Sequence, residues 1–221
     1  MNTLVLVRHG EVEYPFNSEG QRLVYGPQTP LSYEGTIQME KLVDPLSRDK
    51  GKVTHLYTSP YTRAWQSGLP IWRKFRPLTF VKSILKDVYA PGWEGVTMDE
   101  LKEAGGDIYA IPPRSEDQET LEQLVKRARE ALEEMTYDYI DSKIVAVSHG
   151  DLLSAMNWVL MREGVPTSYK EMVENRYLEK GEAVRLEVDN ELKLRGEGVS
   201  IAPERTLLTR ENFRGGSSER K

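Results

Sequence analysis

Two short runs decide what this chain can fold into: Leu4-Val5-Leu6-Val7-Arg8-His9-Gly10 and Ile144-Val145-Ala146-Val147-Ser148-His149-Gly150. Each opens with four apolar residues and no polar alternation. That is the pattern of a strand covered on both faces, as in a parallel sheet sandwiched between helices. Each run then stops at a histidine followed by glycine. Glycine allows a tight turn and close approach of a ligand to the backbone, and open parallel sheets bind ligands beyond the carboxyl ends of their strands. One histidine in such a place reads equally well as a loop residue satisfied by its neighbours. Two of the chain's three histidines, delivered in matching contexts, are a pattern. His55 lacks that context and reads as structural.

A chain of 221 residues fits one domain and is long enough to bury a sizeable core without disulfides or metals. The apolar share of 38% rises to an ordinary globular value once the 17 glycines are added, which excludes wholesale disorder. Cysteine is absent, so neither a disulfide framework nor a thiolate metal site is possible, in keeping with a reducing compartment. No apolar signal core precedes the first strand, and no run of about 18 apolar residues exists. The expectation is a soluble, cytoplasmic chain with no membrane partner. A net charge of −5 argues against a nucleic-acid partner but leaves room for a small basic pocket.

The remaining elements follow in order. From Val12 to Leu31 runs a loop holding Tyr14, Phe16, Asn17, Tyr25 and Gly26, and a long loop of this kind next to His9 reads as part of a substrate site. Ser32 is a plausible N-cap for a helix to about Arg48. His55 to Thr58 reads as a strand, and Ser59-Pro60-Tyr61-Thr62-Arg63-Ala64 starts the next helix. Leu78 to Leu85 is a third strand candidate, closed by Lys86-Asp87. Tyr89 to Gly95 is turn-rich, a short helix follows over about Thr97 to Glu103, and Gly105 to Arg114 reads as loop. Leu121, Leu124, Val125, Ala128, Leu132 and Met135 mark an amphipathic helix. Leu152 to Leu160 continues the second His-Gly run as a largely buried helix. Ala183 to Val188 and Leu192 to Arg195 read as a hairpin through Asp189-Asn190. The residues from 212 on read as a frayed end, leaving residues 1–211 as the single domain.

If the two His-Gly strands are neighbours, His9 and His149 face each other across one crevice, with Arg8 beside them and Arg63 arriving from a third strand end. Two imidazoles and two guanidiniums without a carboxylate cluster suit a metal poorly. They suit phosphate well, because guanidinium grips its oxygens with forked, charge-assisted hydrogen bonds. A neutral imidazole can attack phosphorus and hold the phosphoryl group covalently. The leaving oxygen needs a proton, and the nearest strand-end acid is Asp87, which would serve first as donor and then as base toward water.

Arg8-His9-Gly10-Glu11, Thr29-Pro30-Leu31-Ser32, Ser59-Pro60-x-x-Arg63-Ala64-x-x-Ser67, Trp93-Glu94-Gly95 and Ser148-His149-Gly150 stand in the order seen in the histidine phosphatase superfamily. The chain resembles its branch similar to cofactor-dependent phosphoglycerate mutase, over roughly residues 3–188. The resemblance implies a three-layer α/β/α sandwich with a mostly parallel central sheet and His9 as the phosphorylated residue. It also implies that Arg8, Arg63 and His149 hold the phosphoryl oxygens, with no metal and no cofactor. The family's proton donor, usually Glu, falls at Asp87, one methylene shorter, with Glu94 as the fallback; its phosphate-contacting Asn matches Asn17 in a loop slightly longer than usual. Mutases of the family carry a longer insertion before the long helix, so the compact stretch from Tyr89 to Asp117 favours a phosphatase acting on a small phosphorylated metabolite. Phosphoglycerate mutase-type transfer and a non-catalytic module that binds phospho-ligands are the alternatives. The expected ligand is such a substrate or inorganic phosphate; a homodimer is open.

Overall fold

The computed structural model describes residues 1–103, 107–162, 164–174, 177–189 and 191–201. Six strands form one sheet: β1 (Asn2–Arg8), β2 (Val53–Thr58), β3 (Leu78–Val81), β4 (Lys143–Ser148), β5 (Ala183–Val188) and β6 (Val199–Ile201), in the spatial order β3-β2-β4-β1-β5-β6. The four strands from β3 to β1 run parallel, and β5 and β6 add an antiparallel edge. Six helices accompany them among the described residues: α1 (Tyr33–Arg48), α2 (Thr62–Phe75), α3 (Met98–Glu103), α4 (Leu121–Thr136), α5 (Gly150–Met161) and α6 (Tyr169–Glu174).

The two-residue period of a strand divides the apolar runs between two layers. Leu4, Leu6, Ile144 and Ala146 enter one core with Leu124, Ala128 and Leu132 of α4 and Leu152, Ala155 and Met156 of α5. Val5, Val7, Val145 and Val147 enter the other with Met39, Leu42 and Leu46 of α1 and Ala64 and Ile71 of α2. Most of these side chains are wholly excluded from water, and each large one is worth about 1.5–3 kcal/mol of burial. Helix starts are set as the residue types dictate: Ser32 Oγ accepts from Gly35 N–H, and Thr120 and Gln123 form a reciprocal capping box.

Two expectations need correcting. The third strand ends at Val81 rather than Leu85, and Ser83–Leu85 form a 3₁₀ turn. β2 ends at Thr58, which pairs with Val81, so the chain has nothing further to pair with and turns inward to bury Leu85. At the other edge, Leu192 to Arg195 forms no strand: it gives a bridge between Val188 and Leu194 and hydrogen bonds from Asp189 N to Lys193 O and from Arg195 N to Glu187 O. Leu192 sits at φ 58°, outside extended space, and the strand that pairs with β5 is β6. Asn190 and the tail from 212 lie outside the described residues. The loop from Val12 to Leu31 has more order than its composition shows. A bridge between Val12 and Leu31 closes its base, and Arg22, Leu23 and Val24 pair with Gly95, Val96, Thr97 and Met98.

Candidate active site

Parallel pairing of β1 with β4 sets Arg8 opposite Ser148, and β2 sets Thr58 opposite Val147. The next residues, His9, His149 and Ser59, therefore emerge side by side at the carboxyl edge. His9 N–H bonds to Ser148 O and Ser59 N–H to Val147 O, so the pairing continues one step past the strands. The two imidazoles meet at a centroid separation of 5.2 Å and an interplanar angle of 62°. Both are buried.

His9 is fixed by two contacts that agree on its tautomer. Nδ1 lies 2.8 Å from Gly10 O, an acceptor only, so Nδ1 carries the proton. Nε2 is then the lone-pair nitrogen, and it accepts from Arg63 Nε at 3.3 Å. Burial, then the charges of His149, Arg63 and Arg8, hold the His9 pKa well below its ordinary value. His149 is likewise held low by burial, Arg63, Arg8 and Arg127. These shifts favour the neutral form of both rings. His149 Nε2 contacts Ser59 Oγ at 2.9 Å. Its Nδ1 lies 3.4 Å from Asp87 Oδ2, within ion-pair range but without hydrogen-bond geometry, and is buried without a hydrogen-bond partner.

Arg63, 1% exposed, ties the site together. Beyond His9, its Nη1 donates to Gly26 O at 3.0 Å and its Nη2 to Asp87 Oδ2 at 2.9 Å. The rings of Tyr25 and Tyr61 lie 4.8 and 5.0 Å from its Cζ, and these cation–π contacts hold the guanidinium plane. Arg8 donates from Nη1 to Leu178 O and lies 4.7 Å from the centre of the Tyr177 ring; its Nε is buried without a hydrogen-bond partner. Burial disfavours the Arg8 charge, but Tyr177, Tyr25, Asp151 and Asp87 outweigh it and raise the pKa. Gly150 makes this approach possible: a Cβ there would lie 2.3 Å from Tyr177 Oη and 3.1 Å from Arg8 Cζ.

Of the residues expected from sequence, His9, His149, Arg8, Arg63 and Asp87 come together. Glu94 is exposed; its carboxylate packs on Gly26, where a Cβ would lie 1.8 Å from Oε1. Asn17 serves its own loop, its Oδ1 accepting from the N–H groups of Glu19 and Gln21 and its Nδ2 donating to Gln21 Oε1. Sequence reasoning gave no role to Tyr61, Tyr177 or Asp151. Asp151 follows the second His-Gly directly, which is the signal that could have marked it. Its Oδ1 accepts from Tyr169 Oη at 2.8 Å and Tyr177 Oη at 3.3 Å, and burial and the Asp87 charge push its pKa up to about 6. Among the described residues no group of three or more His, Cys, Asp or Glu is placed to hold a metal ion.

The model of the histidine phosphatase superfamily (branch 1) matches residues 4–184. The chain belongs to this superfamily. It is 26% identical over 161 residues to the metal-independent phosphoserine phosphatase of Arabidopsis thaliana, covering 69% of this chain and 66% of that protein. It is also 26% identical over 181 residues to a Hydrogenobacter thermophilus protein named "Putative phosphoserine phosphatase 2", covering 79% of this chain and 86% of the relative. Its fold is similar to that of a mycobacterial glucosyl-3-phosphoglycerate phosphatase, with a TM-score of 0.70 at 18% identity over 90% of this chain and 97% of the other. The family and the phosphatase-named relatives make this chain a phosphoric monoester hydrolase. No helix among the described residues is long and apolar enough to cross a membrane.

Proposed function

We propose that the chain hydrolyses its phosphomonoester through a phosphohistidine at His9, without a metal ion. The observation that carries this reading is the setting of the His9 ring, with Nδ1 committed to Gly10 O and Nε2 facing the guanidinium of Arg63.

The steps follow from the geometry. A phosphate oxygen takes over the Arg63 Nε–H that now rests on His9 Nε2, which frees the lone pair as it brings phosphorus within reach. Arg8, Arg63 and the unpartnered Nδ1 edge of His149 surround the non-bridging oxygens and stabilise the charge that builds on them in the transition state. Nε2 forms a bond to phosphorus as the ester P–O bond breaks. Asp87 enters the cycle protonated, its contact with Arg63 giving way as the guanidinium turns to phosphate, and the departing alcohol oxygen takes that proton. Asp87 then accepts a proton from water as that water attacks phosphorus, the P–N bond breaks, its electron pair returns to Nε2, and inorganic phosphate leaves. Each proton transfer is worth about 10²–10⁴ in rate.

The names of the relatives make phosphoserine the first substrate to test, within a panel of phosphorylated hydroxy acids, sugars and alcohols. The expected outcome is phosphate release insensitive to chelator and a base-stable, acid-labile phosphoryl label on the protein during turnover. His9→Ala abolishes both. A label that survives in His9→Ala, or turnover that stops with chelator, overturns the reading.

A further inference from the structure

The segment that carries Asp87 belongs to no helix or strand: it leaves the 3₁₀ turn at Leu85 and crosses to Tyr89. Its backbone is nevertheless held at nearly every carbonyl. Ser148 Oγ donates to Leu85 O at 2.8 Å. Arg127, reaching over from α4, donates from Nη1 to Ile84 O at 2.9 Å and to Lys86 O at 2.8 Å, and from Nη2 to Asp87 O at 3.4 Å. Its two remaining N–H groups meet Glu119, from Nε to Oε1 and from Nη2 to Oε2, both at 2.7 Å. All five donors of one guanidinium are thus in use, three of them on the carbonyls of Ile84, Lys86 and Asp87. Glu119 completes the frame, since its own N–H donates to Tyr89 O at 2.8 Å and its Oε2 accepts from Tyr89 N–H at 3.3 Å. On the other side, Arg63 and Val88 N–H hold the two carboxylate oxygens of Asp87.

We propose that Arg127, oriented by Glu119, is the positioning residue for the proton donor: it fixes the backbone from Ile84 to Asp87 so that the short Asp87 side chain reaches the leaving oxygen. The inference rests on the reading of Asp87 as donor. The physical need is specific. A carboxyl one methylene shorter than Glu has less freedom to correct a misplaced backbone, and a displacement of about 1 Å in a reacting group can lower rate ~10²-fold. Lysine cannot replace the fork, because a single ammonium cannot reach three carbonyls and a carboxylate at once.

The test compares kcat/KM for an alkyl phosphate, whose alcohol must be protonated as it leaves, with that for p-nitrophenyl phosphate, whose phenolate leaves unaided. In Arg127→Lys and Glu119→Gln the alkyl ester is expected to lose ~10–10² in kcat/KM, the range of a weakened general acid, and the aryl ester less than about threefold. Glu119→Gln keeps the shape of the pair, removes its charge and turns one of its two acceptor oxygens into a donor, so it loosens the frame from the other side and reports even where the arginine variant folds poorly; thermal melts confirm the folded state of both. Equal losses on the two esters, alongside a strong leaving-group dependence in Asp87→Asn, would show that Arg127 acts on the site as a whole and overturn the inference. Asp87→Asn with no leaving-group dependence would instead remove the donor itself, and the positioning role with it.

Discussion

Arg63 Nε lies 3.3 Å from His9 Nε2 while Nη2 of the same guanidinium lies 2.9 Å from Asp87 Oδ2. One side chain therefore touches both groups assigned to the two halves of the reaction, and phosphate must enter by replacing it at Nε2. Truncating Arg63 to Ala is expected to lower kcat/KM ~10²–10³-fold, the order seen when a preorganised charge donor is removed. Unlike the Arg127 variants, it should do so for alkyl and aryl phosphates alike, since the phosphoryl group is common to both. A loss under threefold on either would place Arg63 outside phosphate recognition.

A second prediction concerns protonation. Burial and the facing charges hold His9 and His149 well below the ordinary imidazole value of 6.5. In the free protein their Cε1–H resonances should show no titration step near that value and should shift only at markedly lower pH. The proposed nucleophile and the proposed phosphate ligand are then unprotonated at neutral pH. An imidazole step near pH 6.5 for His9 would mean a solvated ring and would contradict the buried geometry.

The sheet and the edge that carries the candidate site were legible because their signal is dense. Two uninterrupted apolar runs fix two buried parallel strands, and pairing them in register leaves His9 and His149 no choice but to meet. The histidines and Arg63 follow from those strand ends. What was not legible depends on partners distant in the chain. The 3₁₀ turn at Ser83–Leu85 arises because β2 is exhausted at Thr58, which no local pattern records. β6 was missed because Leu192 bends the return segment, which bridges β5 only at Leu194 and Arg195 before the regular ladder forms from Val199. Tyr61 and Tyr177 look like ordinary aromatics until the fold sets them against Arg63 and Arg8.

Gly10 offers a test of the turn itself. A Cβ at this position would lie 2.6 Å from the carbonyl oxygen of Gly35, a backbone atom in the first turn of α1. Gly10 N–H also donates to Ser67 Oγ at 3.1 Å, and Gly10 O accepts from His9 Nδ1. Gly10→Ala must move either α1 or the residue that orients the nucleophile. The expected result is a destabilisation of about 1–3 kcal/mol, typical of overpacking, with a loss of kcat that persists at temperatures where the variant is fully folded. Chemical denaturation and assays on the same preparation separate the two effects; a variant with unchanged stability would show that α1 gives way freely.

The last prediction turns on Asp151, whose carboxyl is raised from 3.8 to about 6 by burial and by the neighbouring Asp87. A raised acid pKa means the folded state prefers the protonated form. Its contribution to stability is fully present below the unfolded value near 3.8 and is lost as pH rises through about 6. At pH 8 the ionised carboxyl therefore costs up to about 3 kcal/mol, taking roughly 1.4 kcal/mol per pH unit. Asp151→Asn removes the charge and keeps a carbonyl oxygen for the Tyr169 and Tyr177 hydroxyls. It should raise thermal stability at pH 8, and the gain should shrink as pH falls from 6 toward 4. The same charge helps hold Arg8 cationic and orders Tyr177 against it, so the stabilised variant should bind and turn over substrate less well. A gain in stability independent of pH would show that shape, not charge, sets the effect at Asp151.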